Sequence, residues 1–441
     1  MFKVVICVLT VLFVLGISGC ARQPAGVPGV PSSMNPARQK LKVWIEFSDN
    51  PKLFQDAFAR YAQENNLQVE VVCPAPQDKI LAALSSSDAP DIIVLGDYLV
   101  AQSIANRGLT LDLRELGQEA GIDFTDTYPA ALAACQQDDR LACLPWGADT
   151  MALFWNKDLF EQAGLDPEQP PRTLEALAEY ADRLTKWDDR GNLVQVGFLP
   201  DYPWPAQDLM VSLFGGSYYA DNGHTLTVNS PANLRAYQWT QQFYTRYGPR
   251  PVNDLKSGFG VYASSQNGFF ADKVAMVIDG EWLPGPNFLP KFAPEMYFGV
   301  APLPVPAERL DAYGSGTVAG SVVVVPTATH NRAAAARLLA WMESPAVVAE
   351  VMSQNANLPS SKQAAQDPRF GQLRHFQVFV DILSHPQSTG PFSSPIHQEL
   401  ADALARAGEQ IWQLGADPTQ LLNDIQREYE PRLAEAWRRS R

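Results

Sequence analysis

The chain has 441 residues, and at roughly 100–200 residues per domain this length predicts two or three domains. Hydrophobic residues make up 46% of the chain and charged residues 19%, which excludes an intrinsically disordered protein. Acidic residues outnumber basic ones by 48 to 34, a net charge of −14, and the resulting field would repel a polyanion. We therefore expect no nucleic-acid partner.

The N-terminus has the pattern of an export signal. Lys3 precedes an apolar run over residues 4–17, and small residues follow the run. The run is shorter than the roughly 20 residues of a membrane-spanning helix, although a single N-terminal anchor is the alternative. Residues 17–20 (ISGC) also resemble the bacterial lipobox, which implies a bacterial source and a lipid on Cys20. Residues 1–19 are therefore the predicted lipoprotein signal peptide.

Residues 20–40 are predicted to be a flexible tether. Residues 21–39 contain four prolines, two glycines and no apolar period. As a coil this segment would reach roughly 20–25 Å, which holds the folded part just off a membrane. No later segment has the length and apolar character of a membrane span. We expect an extracytoplasmic protein, anchored by its N-terminal lipid at the cell surface or the periplasmic face.

The first part of the fold alternates strands and helices. Periodicity and composition predict strands over 41–47, 68–73 and 91–95, with helices over 52–64 and 77–85 between them. The order βαβαβ predicts a parallel sheet with right-handed crossovers. The third strand is apolar throughout, as expected of a strand that is covered on both faces.

Ligands of such sheets bind beyond the carboxyl ends of the strands. Glu46 follows the first strand and Asp97 follows the third, which makes both candidates for ligand contacts. For each the alternative is a helix N-cap or a solvated loop carboxylate.

Cys135 and Cys143 flank the segment QQDDRLA, which reads as a hairpin turn. Outside the cytoplasm a disulfide across this hairpin is allowed, and two reduced, half-buried cysteines are the alternative. No CxxC motif occurs and the five histidines are scattered, so we expect no metal site.

The rest of the chain continues the α/β pattern and ends in extra helices. Asn156, Thr173 and Ser230 are predicted N-caps. The predicted strands are 151–155, 274–278, 297–301 and 317–325. The predicted helices are 157–163, one after Thr173, one from 231 to about 247, 331–343, 396–413 and 418–439.

Motifs for catalysis and cofactor binding are absent from the sequence. It contains no HExxH, GxSxG or Walker loop. Residues 314–320 (GSGTVAG) have the wrong spacing for a dinucleotide loop, and a strand rather than a helix follows them. The carboxylate pairs at 138–139 and 188–189 sit in polar turns, where nothing desolvates them. We expect no cofactor and no catalysis.

Aromatic residues beside polar ones are the stronger signal. The rings of Trp146, Tyr202, Trp204 and Trp282 stand near Gly, Pro or Asp. Sugars stack their C–H faces on such rings and bond their hydroxyls to carboxylates. Trp204 lies in a proline-bounded loop without any period, so ligand stacking and a surface role both remain open; Trp155, inside an apolar run, reads as a core residue.

Several segments in order resemble the bacterial extracellular solute-binding proteins of sugar-type ABC transporters, the class that includes maltose-binding protein. The segments are Pro90-Asp91-Ile92-Ile93, the turn 106–109 (NRGL), 144–159 with its FWNKDL end, 275–282 (AMVIDGEW) and 298–304 (FGVAPLP). The resemblance covers essentially the whole mature chain. By position it implies that Asp149 hydrogen-bonds sugar, that Trp282 stacks on it, and that Tyr202 and Trp204 contribute aromatic contacts. The full set of candidate ligand residues is Glu46, Asp97, Trp146, Asp149, Tyr202, Trp204, Asp279, Trp282, Ser315 and Gly316.

This resemblance implies a two-lobed α/β fold, the type II periplasmic-binding-protein fold, with a mixed sheet flanked by helices in each lobe. The first lobe would comprise 41–148 and 301–344, and the second 149–300 and 345–441. A sugar or oligosaccharide would bind in the cleft, and hinge closure would present it to the membrane permease of an ABC importer. We expect a monomer. The alternatives are the same fold binding a polyamine or another small polar solute, and a glycan-active enzyme that uses two carboxylates.

Overall fold

A computed structural model describes residues 38–439, apart from 48–49, 85, 87, 138, 205–206, 221–222 and 391–393. The predicted signal peptide, the predicted lipid site at Cys20 and nearly all of the tether lie outside the described residues. Gln39–Arg441 form one compact unit. Within the part of the chain that the structure describes, no helix is both long and apolar enough to cross a bilayer.

The elements follow the predicted α/β order. The strands are β1 (Lys40–Ile45), β2 (Gln68–Val72), β3 (Ile92–Leu95), β4 (Gln136–Gln137), β5 (Arg140–Leu141), β6 (Leu144–Pro145), β7 (Gly147–Asn156), β8 (Lys186–Trp187), β9 (Leu193–Gln195), β10 (Tyr219–Ala220), β11 (Thr225–Leu226), β12 (Met276–Gly280), β13 (Phe298–Ala301), β14 (Val318–Ala319), β15 (Val322–Val324) and β16 (Leu358–Pro359). The α-helices are α1 (Pro51–Glu64), α2 (Gln77–Ala83), α3 (Tyr98–Asn106), α4 (Leu113–Ala120), α5 (Pro129–Cys135), α6 (Lys157–Gln162), α7 (Leu174–Leu184), α8 (Gln207–Leu213), α9 (Pro231–Tyr247), α10 (Pro249–Lys256), α11 (Leu289–Phe292), α12 (Arg332–Met342), α13 (Pro345–Asn355), α14 (Phe376–Ser384), α15 (His397–Leu414) and α16 (Pro418–Arg439).

The first sheet has five strands in the order β2-β1-β3-β15-β6. β1 pairs in parallel with both β2 and β3, which confirms the predicted βαβαβ unit. All four residues of β3 are buried, as the uninterrupted apolar run predicted. β15 is antiparallel to β3 and β6, so the sheet is mixed.

The second sheet is built around β7. β12 and β13 pair antiparallel with the later part of this strand, and β14 and β16 pair with its first residues. Because β6 belongs to the first sheet and β7 to the second, the chain changes sheet between Pro145 and Gly147.

The chain returns to the first sheet between β14 and β15. The backbone N–H groups of Trp146 and Gly147 both donate to the Ser321 carbonyl, over 2.9 and 3.1 Å. Gly320 has a φ of +132°, and a Cβ there would lie 2.6 Å from the Gly147 carbonyl oxygen. Only glycine fits such a close approach, which explains why the predicted strand 317–325 splits in two. We call segments 146–147 and 320–321 together the crossing.

The predicted helix N-caps are confirmed. The side-chain oxygens of Asn156, Thr173 and Ser230 accept backbone N–H bonds over 3.1, 3.1 and 3.3 Å. Each bond satisfies a donor that the first helical turn leaves without an intrahelical partner.

Packing differs from the predicted lobe division in two places. Residues 302–317, assigned to the first lobe, contact helices α7 and α8 of the predicted second lobe. The Leu174 N–H donates to the Val305 carbonyl, and Arg309 donates to the Leu213 carbonyl. Helix α13, assigned to the second lobe, packs on α1. Arg60 forms a bidentate pair with Glu350 at that contact, over 2.8 and 2.9 Å.

The predicted hairpin between the two cysteines is present as β4 and β5. Cys135 and Cys143 are both fully buried, and the structure has them as free thiols rather than a disulfide. Burial raises the pKa of the Cys135 thiol, and a hydrogen bond with Cys143 adds to this effect.

Candidate ligand-binding site

The candidate site lies where the carboxyl ends of the first sheet meet the second sheet. β1 and β3 end at Ile45 and Leu95, and Leu95 pairs with Val322 directly beyond the crossing. On the other side, Gly280 at the end of β12 pairs with Met151 near the start of β7. The loops after β1, β3 and β12 are therefore gathered around the crossing.

Two acidic residues lie at the ends of the first-sheet strands. The Glu46 carboxylate accepts the Gly96 backbone N–H over 3.0 Å, which ties the two strand ends together. Asp97 caps α3 by accepting the Leu99 N–H over 2.6 Å and stays exposed. The N-cap alternative is thus what the structure shows for Asp97, and a ligand would compete with or add to that bond.

Asp279 is the centre of the polar network in the second half of the site. Only 1% of its surface is exposed. Its carboxylate accepts the Trp204 indole N–H over 3.0 Å, the Tyr262 hydroxyl over 2.9 Å and the Gly280 N–H over 2.8 Å. Burial raises the pKa of Asp279 to about 7, and these donors oppose the rise. The residue was predicted to contact ligand, but its buried carboxylate positions other side chains instead.

Aromatic rings surround this carboxylate. Trp282 donates its indole N–H to the Tyr262 hydroxyl over 2.8 Å, and the Tyr262 ring lies 4.6 Å from that of Trp204 and 5.3 Å from Phe288. Trp204 is 38% exposed and Trp282 is half-buried, so both offer ring surface to a ligand. A Cβ on Gly280 would lie 2.2 Å from the Trp282 ring, so the glycine makes room for it.

Tyr202 stands beside this group in a supporting position. Its hydroxyl accepts the Gly268 backbone N–H over 2.6 Å, and its ring lies 4.8 Å from that of Phe259. Burial raises the pKa of Tyr202 to about 12, so the hydroxyl is neutral at physiological pH. The contacts of Tyr202 order the loop that carries Trp204.

Asp149 and Glu281 form a second acidic group, and the Asn357 amide links the two carboxylates. The Asn357 amide donates to the Asp149 carboxylate over 3.4 Å and to Glu281 over 3.2 Å, while the Thr150 N–H donates to Glu281 over 3.2 Å. Burial and the charge of Asp149 raise the pKa of Glu281 well above its usual range.

Three predicted ligand residues, Trp146, Ser315 and Gly316, are held by contacts within the protein. Trp146 is 1% exposed; its indole donates to the Met342 carbonyl over 3.1 Å and packs near Phe54, so it is a core residue. Ser315 bonds the Ala312 carbonyl over 2.7 Å, and the Gly316 N–H donates to Ser388 over 3.0 Å. The recorded bonds of Ser315 and Gly316 thus hold a turn against 382–389. Trp155 is a core residue, as predicted.

Sequence reasoning missed further polar residues at the site: Tyr262, Glu281, Asn357, Asp208 and His397. Asp208, on α8, is exposed. Burial lowers the pKa of His397, while the charges of Asp97 and Asp208 oppose this. His397 therefore lies within electrostatic reach of Asp97 before α3 and Asp208 on α8. Only Glu281 had a sequence signal, since it falls inside the segment 275–282.

The chemistry of this site is that of non-covalent recognition. Exposed rings stand beside carboxylates and amides, which suits a ligand with apolar faces and hydroxyl groups. Among the described residues, no group of three or more His, Cys, Asp or Glu side chains could hold a metal ion.

The sequence matches the family of bacterial extracellular solute-binding proteins over residues 46–349, more than half of the chain. The chain belongs to this family. The matched residues include both strands that meet at the crossing and the segment that carries Asp279 and Trp282. The family resemblance stated from the sequence is therefore confirmed.

Solved structures share the fold over almost the whole chain. CpMnBP1 with mannotriose bound is similar with a TM-score of 0.78 and 23% identity, over 89% of this chain and 100% of that one. The sugar-binding protein MalE from Xanthomonas citri gives a TM-score of 0.73 and 17% identity, over 90% and 98%. UgpB from Mycobacterium tuberculosis in complex with glycerophosphocholine gives 0.70 and 22%, over 91% and 98%. These likenesses confirm the predicted type II periplasmic-binding-protein fold.

Curated relatives match a shorter stretch. The sn-glycerol-3-phosphate-binding periplasmic protein UgpB of Escherichia coli (strain K12) is 33% identical over 108 residues, 24% of this chain and 24% of the relative. The UgpB protein of Salmonella typhimurium matches over the same length. The match thus spans about a quarter of the curated relatives.

Proposed function

We propose that this protein captures a neutral sugar or oligosaccharide and delivers it to an ABC-type importer in the membrane. The observation that carries the proposal is the buried Asp279 carboxylate, which fixes the exposed ring of Trp204 directly and that of Trp282 through Tyr262. Rings held in place lose little freedom when a sugar stacks on them, so the stacking contributes fully to affinity. Carboxylates at Glu46, Asp97 and Asp149 supply acceptors for hydroxyl groups.

Charge at the site supports a neutral ligand over an anion. In the described part of the chain, the hydrogen bonds recorded for Glu46, Asp97, Asp279 and Glu281 involve no Lys or Arg side chain. A phosphate group would meet carboxylates there without a compensating cation, which costs free energy. The UgpB relatives nevertheless make a glycerophosphodiester and sn-glycerol-3-phosphate necessary members of any ligand screen.

A polyamine is the second candidate. Carboxylates next to aromatic walls also suit organic cations, through ion pairing and cation–π attraction. Spermidine therefore belongs in the same screen.

We propose that the two sheets belong to two lobes that close on the ligand by hinge motion. The strand pairing supports chain crossings at 146–147 and 320–321, and a third before β16, which pairs with β7. The first lobe would then be 41–146 with 321–357. The second lobe would be 147–320 with the C-terminal helices. The ligand would lie between them, and the closed form would dock on the permease.

We also propose that Cys20 carries a lipid and that residues 20–40 tether the binding protein to the outer side of a membrane. The protein would act as a monomer and supply recognition, while other subunits of the importer hydrolyse ATP. Membrane association of the wild type that is lost on Cys20→Ser would support the anchor. A Cys20→Ser protein that stays in the membrane fraction would refute it.

A thermal-shift screen tests the function. The panel comprises mannotriose, other mono- and oligosaccharides, sn-glycerol-3-phosphate, glycerophosphocholine and spermidine. A ligand at 1,000 times its Kd stabilises the folded state by about 4 kcal/mol, a clear rise in Tm. A shift with sugars that disappears in Trp282→Ala and persists in Trp187→Ala, an exposed tryptophan on β8, supports the proposal. A shift with spermidine or a phosphate ester alone refutes it.

A further inference from the structure

Three polar side chains from separate segments meet beside the crossing. The Asn357 amide, in the turn before β16, donates to both Asp149 and Glu281, and the Thr150 N–H donates to the other Glu281 oxygen. One amide nitrogen therefore lies within hydrogen-bond distance of both carboxyl groups, which brings the two acids close together. Two ionised carboxylates at such close range repel each other, which favours a proton on one of them.

The surroundings assign this proton to Glu281. Glu281 is 3% exposed, whereas Asp149 is only half-buried. Among the described residues Glu281 forms no ion pair, so only neutral donors, the Asn357 amide and the Thr150 N–H, offset the cost of burying its charge. The half-buried Asp149 is the group that water can stabilise as an anion.

In the part of the chain that the structure describes, the titratable groups recorded near Glu281 are acids and a tyrosine. Asp149 faces Glu281 from β7, and Asp279 stands two positions earlier on the segment of Glu281 itself. From α3 the buried Tyr98 hydroxyl donates to the Gly147 carbonyl over 3.4 Å, and its pKa is raised well above the usual range, chiefly by burial. Tyr98 is therefore neutral, and the pair has a single net negative charge as long as the proton stays.

We propose that Glu281 holds a proton shared with Asp149 and so limits this wall of the site to one negative charge, which favours neutral polyhydroxy ligands over organic cations. The selectivity rests on the function proposed above, but the shared proton does not. A doubly ionised pair would attract a polyamine much more strongly than a singly charged one, since Coulomb attraction scales with the charge. Glu281 is thus a specificity-determining residue that acts through Asp149.

The proton can be tested without ligand, by urea unfolding across pH in wild type, Glu281→Gln and the control Glu295→Gln, an exposed residue before β13. The folded chain keeps a proton that the unfolded carboxyl releases. The stability from this proton is therefore complete below the unfolded pKa and is lost as the pH rises towards the raised folded pKa. Above the unfolded pKa, the unfolding constant of wild type should rise relative to Glu281→Gln by up to about tenfold per pH unit. An identical pH dependence in wild type and Glu281→Gln overturns the proposal.

An infrared measurement covers the case in which Glu281→Gln does not fold. Wild type above pH 7, where the Asp279 carboxyl is ionised, should show the C=O band of a buried protonated carboxyl, and Asp149→Asn, which removes the like charge, should lose that band at lower pH than wild type. A missing band in wild type overturns the proposal. A wild type that shows the band but binds no sugar refutes the proposed function and leaves the shared proton standing.

Selectivity is then measured with spermidine and mannotriose. Once the pH is high enough to remove the band, wild type should gain at least several-fold in affinity for spermidine, whereas Glu281→Gln should not. Mannotriose affinity should change less in both. An equal gain for spermidine in the two proteins shows that the pair does not set the selectivity.

Discussion

Trp204 donates its indole N–H to the Asp279 carboxylate over 3.0 Å, across 75 positions of the chain. The donor lies on an exposed ring in a proline-bounded loop, and the acceptor is a buried residue near the end of β12. An exposed aromatic residue of this kind would usually be free to reorient, but here a desolvated carboxylate holds it. The bond holds the exposed ring in a fixed position, as its proposed role in ligand stacking requires.

The first prediction concerns the exposed ring of Trp204 and the half-buried ring of Trp282. Trp204→Ala and Trp282→Ala should each weaken sugar binding by about 10- to 100-fold, because covering an aromatic side chain contributes about 1.5–3 kcal/mol. Isothermal titration with the best sugar from the screen measures the change. Trp187→Ala, which removes an equally exposed ring on β8, should leave Kd unchanged. Equal losses in all three proteins would mean that the assigned rings have no special role.

The second prediction concerns the pH dependence that Asp279 confers. Its pKa is raised to about 7, so the folded state binds a proton that the unfolded carboxyl releases at lower pH. The resulting stability is complete below the unfolded pKa and should be lost between about pH 4 and about pH 7, by about 4 kcal/mol at most.

Urea unfolding across this range measures the effect. As the pH rises, the unfolding free energy of wild type should fall relative to that of Asp279→Asn. The control Asp254→Asn, which changes an exposed aspartate on α10, should follow wild type. A difference between wild type and Asp279→Asn that does not vary with pH would contradict the assigned proton.

The third prediction uses the close contact between Gly280 and Trp282. In Gly280→Ala the new methyl group would lie 2.2 Å from the Trp282 ring, so the ring has to move. Overpacking of this kind costs about 1–3 kcal/mol, and the displaced ring should weaken sugar binding by at least tenfold. Gly371→Ala is the control, because no atom lies within 4 Å of its added Cβ. Unchanged sugar affinity in Gly280→Ala would place Trp282 outside the binding surface.

The fourth prediction separates Trp146 from the tryptophans that we propose to contact ligand. Trp146 is a buried core residue, so Trp146→Ala should lower the unfolding free energy by about 3–5 kcal/mol. Trp204→Ala should lower it by less, about 1–2 kcal/mol, since it removes a hydrogen bond to Asp279 but less buried surface than Trp146→Ala. Chemical denaturation of the two variants compares them directly. Similar stability losses would contradict the core assignment.

The fifth prediction concerns the cysteines. Cys135 and Cys143 are buried free thiols, so a thiol reagent should not modify them in the native protein and should modify both after denaturation. Mass spectrometry of the peptide that contains residues 135–143, prepared without reductant, measures the modification of both thiols. A peptide lighter by two hydrogens would show that the exported protein forms the disulfide that the sequence left open.

Much of the fold was predictable because local signals agree with it. The apolar run of β3, the caps at Asn156 and Ser230 and the C-terminal helices follow from composition and spacing over short distances. The predicted strand 317–325 failed at Gly320, where the chain passes close to Gly147. The sequence does not show how near a distant backbone comes.

The site was predictable only in part, for the same reason. Trp204, Asp149 and Trp282 stand out by residue type and by their place in a family-like pattern. Trp146 has the same type and a similar flanking sequence, but the helix end at Met342 covers it. Asn357 and Tyr262 matter through partners 208 and 17 positions away, and neither lies in a segment with a recognisable period.

The crossing has a bearing on how variants of this protein should be interpreted. Its two segments meet through their backbones, because the Ser321 carbonyl accepts from the N–H groups of both Trp146 and Gly147. Gly147 and Gly320 leave no side chain between the segments. A bulkier residue at either glycine would stiffen this backbone contact between the sheets or push it apart. Its effect would be to alter how quickly cargo enters and leaves. Natural variation in uptake could therefore arise at positions that never touch the cargo.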